Sequence, residues 1–142
     1  MTATPSNTTT PWHMWLLGGL LLLWNSLAAF DYIMTVLRYE PYLANHPEEV
    51  LAYFFDAPLW MYVMWGGSMI GGLIATILLL MRRRLAVIVF AIAWLCSVVA
   101  VIYSLVNPVP GGGQMGFAIG VILITFLILL YFYWLQRRGV LR

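Results

Sequence analysis

The chain has 142 residues, 63% of them hydrophobic and 8% charged, with a formal net charge of +2 and a mean hydropathy of +0.92. Soluble domains carry about a quarter charged residues, so this composition excludes a water-soluble globule and a disordered chain alike. All seven basic residues are arginines, too few for a nucleic-acid-binding face, and the single cysteine, Cys96, excludes an internal disulfide or a dithiol site.

Residues 1–11, rich in Thr, Ser and Pro, are expected to form a disordered cytoplasmic lead-in. Four apolar stretches follow, at 12–37, 58–81, 85–106 and 115–136, each meeting the roughly 20 residues that a helix needs to span the hydrocarbon core. Backbone polar groups in lipid must be paired within their own segment, and runs such as Leu20-Leu21-Leu22-Leu23 and Val121-Ile122-Leu123-Ile124 lack barrel alternation. The prediction is an all-α fold: one domain over 12–142, a membrane-spanning, up-and-down four-helix bundle. The first stretch has a rival reading as a cleaved signal peptide, with Ser26-Leu27-Ala28 as the cleavage site. Against it, no basic residue precedes Met14, and the apolar run continues through Phe30, Tyr32 and Ile33.

Orientation follows from the arginines. Arg82, Arg83 and Arg84 separate the second and third spans, and Arg137, Arg138 and Arg142 follow the fourth, so an even number of crossings puts both clusters on one face. The positive-inside rule makes that face cytoplasmic, with both termini, in a bacterial inner membrane. The loop 38–57 falls opposite; Arg38 is outweighed there by Glu40, Glu48, Glu49 and Asp56, for a sum of −3. Within it, Asn45-His46-Pro47-Glu48-Glu49 resembles a helix start, and Val50, Leu51, Phe54 and Phe55 give the segment an apolar side, so a short periplasmic interfacial helix is predicted. The turn at 107–114, with Asn107-Pro108 and Pro110-Gly111-Gly112-Gly113, makes its flanking spans antiparallel.

Asp31 is the most informative position. An ionisable group inside a span is costly and is by default a functional candidate, for protons, a cation or the hydroxyls of a solute. The simpler alternative is a structural pair, with Arg38 seven residues on and Thr35 one turn away. Asn25, near the centre of the same span, suits an interhelical clamp. It lies about 120° around the helix from Asp31, which argues against one shared Asn/Asp site. Asp31, Thr35, Arg38 and Asn25 are thus the candidate polar, proton or ligand site. Gly67, Gly71 and Ala75, Gly112, Gly116 and Gly120, and Ala93, Ser97, Ala100 and Ser104 form small-residue faces for helix packing, within one chain or between two. His13 and His46 lie at opposite faces and cannot share a haem; His46 with Glu48 and Glu49 is better explained as a capped helix start than as a metal site. No cofactor and no catalytic residue is expected. The outer aromatics form interfacial belts, whereas Trp24, Trp65 and Trp94 lie deeper.

Several blocks are similar to a widespread group of small bacterial four-helix inner-membrane proteins of unknown function, some loosely labelled "sugar transporter". They are Leu23-Trp24-Asn25, Phe30-Asp31-Tyr32-x-Met34-Thr35, Ala57-Pro58-x-Trp60, Trp65-Gly66-Gly67, Leu78-Leu79-Leu80-x-Arg82-Arg83-Arg84-x-Ala86-Val87, and Arg138-Gly139-Val140-Leu141. The resemblance implies the architecture and location already inferred and assigns no functional residue. Three roles then compete. A non-enzymatic structural, accessory or regulatory subunit, with the bilayer and a membrane-complex partner or a second copy as its contacts, leads. An oligomeric small-solute transporter with a periplasm-facing site around Asp31 is the alternative, and an intramembrane redox enzyme ranks last for want of cysteines and paired histidines.

Overall fold

The computed structural model of the chain describes residues 9–111 and 114–142; residues 1–8 and Gly112 of the proposed packing face lie outside them. Six helices follow in order: α1 (Trp12–Val36), α2 (Glu40–Leu43), α3 (Glu48–Phe55), α4 (Leu59–Leu80), α5 (Leu85–Val106) and α6 (Gln114–Arg137). Among the described residues there is no strand. The helices α1, α4, α5 and α6 are each long and apolar enough to cross a membrane, which makes this a multi-pass membrane protein. Their bounds agree with the predicted spans to within a residue. The one-turn helix α2 has no counterpart in the sequence reading.

The helix ends explain why the spans stop where they do. Pro11, Pro47 and Pro58 stand immediately before α1, α3 and α4 in extended backbone, where a residue without an N–H leaves no donor unsatisfied. At the other ends, α1, α4 and α6 close by one and the same device. Tyr39 N donates to Met34 O and Arg38 N to Thr35 O; Arg83 N to Leu78 O and Arg82 N to Leu79 O; Val140 N to Leu135 O and Gly139 N to Gln136 O. This pair of bonds is the Schellman motif, which needs a left-handed residue. Gly139 supplies it at φ 71°, but Arg38 and Arg82 do so at φ 52° and 58°, at a cost of roughly 1–2 kcal/mol each for carrying a Cβ there.

The helix α4 is the centre of the packing, with α1 on one side and α5 on the other, and α6 packs on α5. Glycines allow both approaches. A Cβ on Gly71 would lie 3.0 Å from the Ala93 Cβ, and one on Gly67 3.1 Å from Cys96 Sγ, both on α5. Towards α1, Gly66 meets the ring of Tyr32 and Gly72 meets the amide of Asn25. Gly116 and Gly120 on α6, by contrast, have nothing within 4 Å of an added Cβ, so among the described residues they pack against no other helix.

The apolar core sits at the arginine end. Met14 and Leu21 of α1, Ala75 and Leu79 of α4, Ala86 and Phe90 of α5, and Phe132 and Leu135 of α6 meet there with Val140 and Leu141, which follow α6. Phe90 and Phe132 pack with ring centroids 4.7 Å apart. Beside this core the His13 ring bonds the Tyr131 hydroxyl and packs against Trp134, joining α1 to α6. Towards the acidic end α1 and α6 part.

The glycine contacts give a direct expectation. Tyr32 is held by a hydrogen bond from its Oη to Tyr62 O (3.1 Å) and by an edge contact with Trp65, so its ring, 2.5–3.0 Å from an added Cβ on Gly66, has nowhere to go. Gly66→Ala should cost about 1–3 kcal/mol by overpacking and lower the unfolding temperature in detergent. Gly19→Ala, with nothing within 4 Å, should leave it unchanged or raise it. Equal effects of the two substitutions would contradict this packing.

Candidate functional site

Two polar groups on α1, one around Asn25 and one around Asp31, do not meet. In the first, Asn25 Nδ2 donates to Leu21 O (2.8 Å) and across to Thr76 Oγ1 (3.2 Å), while Thr76 donates to Gly72 O (2.9 Å). An interhelical bond of this kind is worth about 0.6 kcal/mol in membranes. It sets the rotation of α1 against α4 more than it holds the two together.

The second group surrounds Asp31. Its carboxylate is engaged by Tyr42 of α2, whose Oη donates to Asp31 Oδ1 at 2.6 Å. The Thr35 hydroxyl turns instead to the Asp31 main-chain oxygen (2.8 Å). The expected Asp31–Arg38 pair is absent: the Arg38 guanidinium lies 4.3 Å over the Phe55 ring. A seven-residue spacing brings two side chains to one face only while the helix continues, and Arg38 is the left-handed residue that ends it. His46 packs on Tyr42 with ring centroids 5.6 Å apart, and among the described residues no three His, Cys, Asp or Glu side chains gather as a metal site. Of the four candidate residues, then, Asp31 and Thr35 are neighbours, while Arg38 and Asn25 have partners elsewhere.

The Tyr42 phenol is raised above its ordinary value of 10.0, first by the hydrogen bond it gives Asp31, then by partial burial, then by the Asp31 charge. All three favour the neutral phenol in the folded state. The stability this adds is full below pH 10 and is lost as pH rises through the folded value.

Between α4, α5 and α6, in the acidic half, lies a cavity of about 270 Å³. Its wall includes Met61, Trp65, Ser68, Ser97, Ala100 and Ser104, and Phe54 of α3 covers it. The cover is pinned at two points. Tyr62 Oη donates to Phe54 O (2.6 Å), and Tyr53 Oη to Ser104 Oγ (3.3 Å); Phe54 also stacks on Trp65 at 5.0 Å. Ser68 and Ser104 return their hydroxyls to main-chain oxygens of their own helices. Neither the Ser97 hydroxyl nor the Trp65 indole N–H has a hydrogen-bond partner among the described residues. No ionisable side chain lines the cavity.

A second, wider groove of about 490 Å³ separates α1 from α6, lined by Trp24, Asn25, Phe90, Thr125 and aliphatic residues. Phe117 and Val121 of α6 border both spaces. The helix α6 is held to α5 by Trp94 Nε1 donating to Ile122 O (3.1 Å) and by Trp94 against Phe126. Asp31 lines neither space.

Sequence reasoning missed Tyr42 and Thr76; it put Phe54 on the apolar side of the short helix without the cavity that this side chain borders. Thr76 had a signal, as a polar residue four positions after Gly72 in an apolar run. Tyr42 had none, because an interfacial aromatic looks alike whether it faces lipid or protein.

Tyrosinate titration checks the Asp31 environment. The step missing in Tyr42→Phe should be one that lies above pH 10.0, and Asp31→Asn should bring that step back towards 10.0. An unmoved step in Asp31→Asn would show that the carboxylate does not hold the phenol.

No family model matches the chain, and no curated protein or solved structure is significantly similar to it; its function has to be argued from the geometry.

Proposed function

We propose that this is a non-enzymatic membrane protein that holds the apolar part of an amphipathic molecule in the cavity beneath α3. The observation that carries the reading is the pairing of an apolar wall with two unused polar groups, the Ser97 hydroxyl and the Trp65 indole N–H, under a pinned aromatic cover. Small-molecule sites are mostly apolar with a few polar groups that orient the guest, and occupy about 300–1,000 Å³. At about 270 Å³ the cavity is at the small end, sized for a short chain or ring. The want of ionisable groups on its wall argues against acid–base or nucleophilic chemistry there.

Mass spectrometry of the protein extracted in mild detergent is expected to find one bound amphiphile, lost in the cavity-filling variants Ser97→Phe and Ala100→Phe. Wild type without a guest, or equal occupancy in both variants, would overturn the reading.

The transporter alternative around Asp31 is weakened by the Tyr42 bond and by the distance of Asp31 from both spaces. The accessory-subunit role draws on one observation: Gly116 and Gly120 present a bare face on α6, the kind of surface that lets a second helix approach. For location, the split of six arginines against one supports a bacterial inner-membrane protein with cytoplasmic termini and α3 at the periplasmic interface. Cysteines introduced at Arg83 and Glu48 should be labelled from opposite sides of the membrane; labelling from one side would reverse this.

A further inference from the structure

The arginine end carries charge that no other side chain of the protein balances. Six of the seven arginines belong to it, and all five acids lie between Asp31 and Asp56, across the membrane span. Among the described residues no ion pair forms at this end, and Arg82 Nη2 is withdrawn from solvent without a partner.

The cluster is built rather than merely concentrated. The segment 138–142 folds back beneath the bundle, with Val140 and Leu141 buried in the core. There Arg142 N donates to Arg82 O (2.6 Å) and Arg84 N donates to Arg142 O (3.0 Å). Arg82 Nε and Arg84 Nε donate to Val140 O (3.1 Å) and Leu141 O (3.3 Å). Arg142 is thereby strapped beside 82–84. Arg82 holds this strap from a left-handed position that glycine would occupy without strain, as Gly139 does after α6.

The strapped group stands between two helix ends, just after the C-terminal end of α4 and just before the N-terminal end of α5. Arg83 and Arg84 immediately precede α5, whose first turn has no acid. The partial negative charge at the end of α4 favours these cations and the partial positive charge at the start of α5 does not, so the helix ends roughly cancel and leave the guanidinium charge open to an anion. Arg138 stacks 4.6 Å over Trp134 nearby, with Tyr131 beside that ring, which sets the cluster at the depth of lipid headgroups.

We propose that the strapped cluster of Arg82, Arg83, Arg84 and Arg142 at the start of α5 is a phosphate-binding site, taking the phosphate of an anionic phospholipid or free phosphate. Arg83, Arg84 and Arg142 are exposed and supply the donors that meet the phosphate oxygens; guanidinium groups match this geometry in pairs. Arg82 supplies charge and holds the strap.

The test uses the whole protein in nanodiscs of equal phosphatidylglycerol and phosphatidylcholine, with bound lipid read by mass spectrometry, and a parallel titration of inorganic phosphate in detergent. Wild type should retain phosphatidylglycerol in preference. Arg83→Gln, Arg84→Gln and Arg142→Gln should each lower that preference by about fivefold, and Arg83→Lys, which keeps the charge but not the paired bonds, should lower it less than Arg83→Gln. Val140→Gly with Leu141→Gly, which frees Arg142 without removing it, should lower it as much as Arg142→Gln. Arginine-dependent binding of inorganic phosphate alone would support the site with free phosphate as its source. Equal retention of the two lipids together with no phosphate binding would overturn the proposal. So would a preference untouched by the glutamine variants, or by freeing Arg142.

Discussion

Close backbone approach along α4 is the constraint on which the rest of the structure depends. In a bilayer the surrounding lipid is as apolar as the helices, so association rests on van der Waals fit and a few hydrogen bonds. On α4, Gly67 and Gly71 admit α5, while Gly66 and Gly72 admit Tyr32 and Asn25 of α1. With α4 held between two neighbours, α6 is left with α5 alone over most of its length. The separation of α1 from α6 follows from that arrangement.

This geometry divides the molecule into a packed half and an open half. At the arginine end four helices and the segment after α6 converge on one apolar cluster, closed by the His13–Tyr131 bond. At the acidic end the space beneath α3 remains, and the groove between α1 and α6 runs through mid-span as far as Leu21 and Phe90 at the edge of the core. A void lined by apolar side chains forgoes dispersion contacts, and in a membrane the groups best able to supply them are chains and rings. The short helix α3 contributes Phe54 to the cover of the inner space, beside Pro108 and Val109 of the turn after α5, and two tyrosines fix it in place.

Most intramembrane polar groups find an acceptor close at hand, the Ser97 hydroxyl and the Trp65 indole N–H at the inner cavity being exceptions. Thr35, Ser68, Thr76, Ser104 and Thr125 all return their hydroxyls to carbonyls within the same helix. Asn25, Asp31 and Trp94 reach a different helix, as do the ring groups of His13, Tyr32 and Tyr62. Asp31 shows why an ionisable residue in a span is a hypothesis and not an assignment: one phenol from a four-residue helix in the following loop is enough to give it a structural partner.

How much was legible in advance follows from range. The four spans, α3 and the separation of arginines from acids are written in runs of about 20 residues or fewer and in local charge, because the bilayer forces each segment to satisfy its own backbone. Three of the packing residues, Gly67, Gly71 and Ala75, were visible as a four-residue repeat, while Gly66 and Gly72 were not, since their spacing makes sense only once α1 is known to lie on that side. The Arg38 and Arg82 turns were hidden because glycine is the usual signal for a left-handed cap and neither position has one. Which carboxylate partner is chosen, which aromatic covers a cavity, and where the residues after α6 dock are settled by contacts between segments far apart in the chain. Composition and periodicity therefore determined that this protein has four helices long and apolar enough to cross a membrane, with its arginines and acids in separate segments between and after them. The tertiary structure alone decided that α6 stands apart from α1 and that Phe54 rather than Asp31 borders the inner cavity, because helix-to-helix fit depends on the shapes of two surfaces at once and no single segment encodes both.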